Sequence, residues 1–88
     1  MLRIDMMKGP NKFFINKISE DDKILALFDD IQQKIDLSCI MDRHNEKIIV
    51  IVYKEEKDGQ YALDSIDTKI LKGVDKTEDG VMFLSFEE

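Results

Sequence analysis

One cysteine, one histidine, one proline and four glycines are all that this chain of 88 residues holds of the residue types that most often carry chemistry or interrupt an element. Cys39 alone cannot form an intrachain disulfide, so any core must stand on packing, as is usual in a reducing compartment. Gly9, Gly59, Gly73 and Gly80 stand singly, which excludes a glycine-rich phosphate loop. The longest uninterrupted apolar run, Ile48 to Tyr53, is too short to span a bilayer. Arg3, Asp5 and Lys8 interrupt the N-terminus where a secretory signal would be apolar. A cytoplasmic protein with no membrane contact is the expectation. An excess of basic charge is missing too: the net charge is −6, a sign that repels phosphate and argues against direct nucleic-acid binding. Only residues 1–18, at +3, run against that sign, whereas residues 55–88 carry −6 by themselves.

What is present is apolar in the proportion of a folded domain, at 43%, and charged well above it, at 36%. A chain of this length forms one domain, residues 1–88, and buries roughly 60–70% of the surface its unfolded form exposes. In "LRIDMM" Leu2, Ile4 and Met6 alternate with Arg3, Asp5 and Met7, the period of a strand. Gly9 and Pro10 punctuate the chain, and "KFFINKI" reads as a second strand, so the two are expected to pair as a hairpin.

The spacing then predicts a helix over 20–36. Ser19 stands as its cap, Glu20 to Asp22 lie at the positive end of the dipole, and Ile24, Leu27, Phe28, Ile31 and Ile35 recur at three and four. Asp22, Asp29 and Asp36, seven apart, would line one side of that helix, about 10 Å per step. Such a row serves solubility in the simplest account. The alternative is a partner-facing acidic stripe that mimics nucleic-acid charge and enters a basic groove on another protein.

Beyond the helix "LSCIMDR" reads as a strand, "HNEK" as its turn with Asn45 at positive φ, and "KIIVIVYK" as the strongest strand of the chain. Asp58–Gly59 announces a hairpin into "QYALDSI", and Asp79–Gly80 another between "TKILKGV" and "VMFLSF". Leu63, Ile66 and Ile70 also fit helical spacing with Gly73 as a stop, but the Asp-Gly turn directly before Tyr61 favours a strand over 62–72. The expected fold class is therefore α+β, one amphipathic helix on a mainly antiparallel sheet of about four to six strands.

One helix covers one sheet face, yet two strands are apolar on both sides. Ile49, Ile51 and Tyr53 oppose Ile48, Val50 and Val52, and Met82, Leu84 and Phe86 oppose Val81 and Phe83. Ile49, Ile51, Tyr53, Met82, Leu84 and Phe86 are thus candidates for a second apolar face. The N-terminal hairpin would cover it with Phe13, Phe14 and Ile15, residues 62–72 would cover it as a helix, or another molecule would, a homodimer being the commonest case.

Constellations that would carry chemistry are weak. Asp42, His44 and Glu46 alternate as metal ligands can, but a polar turn accounts for them more simply. Cys39 beside Ile40 is a small core residue before it is a nucleophile. Glu55 and Lys57, with Asp42 before them, follow the order of a metal-dependent nuclease core, a degenerate pattern in an acidic region. Asp64 and Asp67 would need a cleft to act as acid and base. The expectation is a small acidic protein-binding module, such as an inhibitor, adaptor or immunity-type factor. It is not expected to be an enzyme, and no cofactor or metal is expected. A structural homodimer is the alternative, and a small nuclease lies behind both.

Overall fold

The computed structural model describes residues 1–10, 13–28, 37–76 and 82–87. Alternating and β-branched residues put most of them into strands: β1 (Leu2–Lys8), β2 (Phe13–Glu20), β3 (Lys23–Leu27), β4 (Lys47–Glu55), β5 (Tyr61–Lys76) and β6 (Met82–Glu87). They form one sheet in the order β3-β2-β1-β4-β5-β6. Each neighbouring pair is antiparallel except the central one, β1 with β4, which runs parallel with Ile4 beside Val50.

The expected N-terminal hairpin is present as β1 paired with β2, and β4, β5 and β6 follow the expected meander. Residues 62–72 are strand throughout. Between β4 and β5 Asp58 and Gly59 adopt φ of 68° and 72°, the left-handed conformation that the Asp-Gly pair tolerates best. Glu56 N–H closes that turn on the Gln60 carbonyl at 2.6 Å. Asn45 takes its expected positive φ of 62°. The Asp79–Gly80 turn lies outside the described residues.

The core occupies one face of the sheet. Leu2, Ile4, Ile15, Ile18, Ile48, Val50 and Leu71 meet there, and the cover is the segment 37–46, which buries Leu37 and Ile40 completely. That segment is not the strand read in "LSCIMDR". It is a chain of tight turns, with Ile40 N–H bonded to the Leu37 carbonyl and Arg43 N–H to that of Ile40. The three-residue step brings Leu37 and Ile40 to the same side, which an alternating strand cannot do. The segment is tied to the sheet by Asn45 N–H to the Leu71 carbonyl and by the return bond from Leu71 N–H to Glu46. Close to those bonds Arg43 forks onto the Glu20 carboxylate, with Nη2 3.2 Å from Oε1.

The expected α+β fold is overturned, because no α-helix occurs among the described residues. The amphipathic helix fails where it was to begin. Asp21 and Asp22 turn at φ of 47° and 69°, and residues 23–27 return along β2 as β3. The physical reason is a β-bulge. Ser19 pairs with Ile24 and Ile18 with Ala26, so Leu25 is an extra residue, and Ile24 and Leu27 come to one face although they are three apart. A bulged strand thereby imitates helical spacing. Residues 29–36 of the expected helix lie outside the described residues.

Candidate interaction face

The opposite face of the sheet follows from the pairing register. One row across five strands reads Leu27, Lys17, Asp5, Ile51, Ile66, and the next reads Ile24, Ser19, Arg3, Ile49, Thr68. A third, over four strands, reads Phe14, Met7, Tyr53, Leu63. At about 4.8 Å between strands, the first row spans about 19 Å.

The middle of this face is buried and its flanks are bare. Asp5 is 3% exposed and Ile51 6%, whereas Ile24 and Leu27 on β3 reach 63% and 71%, and Leu63 and Ile66 on β5 reach 57% and 59%. Four large aliphatic side chains thus stand in solvent on either side of a closed centre. That arrangement is costly in water and is characteristic of contact surfaces.

The closed centre is ionic. Arg3 holds Asp5 with both ends of its guanidinium, Nε to Oδ1 at 2.7 Å and Nη2 to Oδ2 at 3.2 Å. Lys17 approaches the same carboxylate at 3.6 Å. The hydrogen bonds from Arg3 to Asp5 hold the guanidinium above its usual pKa. Lys17 reaches Asp5 because a bulge in β2, where the pairing passes from Asp5–Lys17 to Met6–Ile15, turns Lys17 away from the core that takes Ile15 and Ile18.

Of the residues singled out for an acidic stripe, only Asp22 is described, and it does not stand on a helix. Asp22 is the second residue of the β2–β3 turn, and Asp29 and Asp36 lie outside the described residues. Nor do the six apolar candidates share a face. Ile49, Ile51 and Tyr53 lie on the second face, but Leu84 and Phe86 pack against the core on the first, where Lys69 sits 5.8 Å above the Phe86 ring. The Met82 side chain lies outside the described residues. A bulge near Lys72, between the pairs Leu71–Phe86 and Gly73–Ser85, contributes to this split by shifting the alternation of β5 against β6. The N-terminal hairpin does not fold across the second face but belongs to the sheet, with Ile15 in the core and Phe14 in the third row of that face.

The chemical candidates are scattered. Asp42 and His44 are exposed in the segment that precedes β4, while Glu55 ends that strand, about 26 Å from its start at 3.3 Å per residue. No three His, Cys, Asp or Glu side chains converge as a metal site among the described residues. Cys39 packs partly buried against the core, and Asp64 and Asp67 are both exposed. Among the described residues no helix is long and apolar enough to cross a membrane. Sequence reasoning missed Arg3, Asp5, Lys17, Ile24, Leu27, Leu63 and Ile66 as members of one surface. The available signal was the alternation in "LRIDMM", which already set Arg3 and Asp5 on the side away from Leu2 and Ile4.

No family model, curated protein or solved structure matches the chain.

Proposed function

We propose that the protein is a small, non-enzymatic protein-binding module of the cytoplasm that grips its partner through the second sheet face. The observation that carries this reading is the pairing of two bare aliphatic flanks, Ile24 with Leu27 and Leu63 with Ile66, on either side of a centre in which Asp5 and Ile51 are buried. A partner that covers the flanks gains the burial of four aliphatic side chains.

Affinity capture from the source cells tests it. The wild-type chain retains a stoichiometric partner, and a Leu27→Ser, Ile66→Ser double variant loses it, while Asp42→Asn, on the far side of the sheet, keeps it. A partner held equally by all three sinks the reading.

Self-association is a second reading, and it rests on a different feature. The edge strand β3 reads "KILAL", with Ile24, Leu25 and Leu27 exposed. Exposed apolar edges are sites at which a sheet adds another strand.

A further inference from the structure

Among the described residues the ionic centre holds one carboxylate for two cations. Asp5 supplies a single negative charge to two cations, Arg3 and Lys17, so this group carries +1 within a chain of −6. On β5 and β6 Lys72 is paired with Glu87 at 3.0 Å, and Asp75, which the register sets on this face nine residues beyond Ile66, adds one negative charge far from the ionic centre. A partner that closes over the flanks buries the surplus cation between them, and an uncompensated buried charge is expensive. An incoming carboxylate removes that cost and completes two ion pairs. A second copy of the same face would instead bring a second surplus cation.

From this charge balance we infer that the occupant of the second face is an acidic, apolar peptide segment of another protein. It presents an aspartate or glutamate to Lys17 and Arg3, with aliphatic or aromatic side chains on both sides to meet Leu27 and Ile24 at one flank and Ile66 and Leu63 at the other. The inference rests on the proposed function and specifies its partner. It also reverses the expectation of a basic groove: an acidic protein would here select an acidic ligand, through a cluster whose own charge is locally positive. Long-range repulsion opposes the encounter, so the carboxylate acts on the lifetime of the complex and not on its capture.

The test uses a displayed library of random sixteen-residue peptides selected on the full chain. The expected enrichment is of peptides with one carboxylate flanked by large apolar residues. The best of them, remade with Gln or Asn in place of the acid, binds the wild type about tenfold more weakly. Against Lys17→Met, whose Arg3–Asp5 pair is neutral, acid and amide forms bind alike. Lys17→Gln serves as a second variant, and circular dichroism checks the fold of each. Enriched peptides that are apolar but show no preference for an acid overturn the inference and leave the face as a binding site. So does an acid preference that persists in both Lys17 variants. Failure to enrich any peptide, or enrichment indifferent to Leu27→Ser with Ile66→Ser, overturns the proposed function as well.

Discussion

Removing the Asp5 carboxylate and removing the Lys17 ammonium are unequal operations, although the two groups touch. Asp5 is buried beside both cations, so Asp5→Asn deletes the acceptor of two charge-assisted bonds and leaves Arg3 and Lys17 to repel each other under partial cover. The expected loss is about 2 kcal/mol, the scale of hydrogen bonds to charged groups. Lys17→Met leaves a balanced Arg3–Asp5 pair, and its ion pair is long and partly solvated, so the loss stays below about 1 kcal/mol. Urea unfolding of the two variants measures the difference, and a Lys17→Met loss equal to that of Asp5→Asn would show that the group acts as an inseparable triad. Of this cluster only half was legible. Alternation in "LRIDMM" set Arg3 and Asp5 side by side, but Lys17 is twelve residues further on and reaches them through a bulge that no periodicity announces.

Bulges explain where element-level reading succeeds and where it fails. Strands that keep a strict alternation, β1 and β4, were legible with their faces, as was the Asp58–Gly59 turn, whose conformation only a few residue types accept. Three strands carry an extra residue and convert a period of two into a step of three: Ile15 to Ile18 in β2, Ile24 to Leu27 in β3, Leu63 to Ile66 in β5. A step of three is also the mark of a helix face, so β3 reads as the start of a helix and β5 as an ambiguity. The acidic run Glu20 to Asp22 compounds this, because residues suited to a helix N-terminus are equally suited to a tight positive-φ turn. Residues 37–46 fail in the other direction: an apolar, alternating segment forms turns because its task is to cover a sheet and not to extend one. Leu37→Ala and Ile40→Ala should each cost about 3 kcal/mol, as in any close-packed core, despite standing on irregular backbone. Thermal unfolding that found both near neutral would mean that the cover is dispensable.

Among the described residues the single sheet ends at β3 and β6 and presents a second face, and the edges and the face are independent surfaces. At the β3 edge the only charge within the strand is Lys23. Two copies of "KILAL" paired antiparallel about Leu25 would set Leu25 against Leu25, Ile24 against Ala26 and Lys23 against Leu27, with no like charges opposite one another. Each copy nevertheless carries −6, so the pairing is opposed at long range and should tighten as salt screens it. This is the reverse of what an ion-paired interface would do. Sedimentation velocity across micromolar concentrations should therefore show a dimer that grows with added salt. Leu25→Lys places two cations at the centre of the junction and should restore the monomer without disturbing the core, since Leu25 is exposed. A wild-type chain that stays monomeric at every concentration and salt level retires self-association. It leaves the second face untouched, because a sheet lengthened through β3 would still present Arg3, Asp5 and Lys17 between bare flanks in each copy. Dimerisation would then double the site, and two linked faces would hold a divalent acidic partner more tightly than either alone.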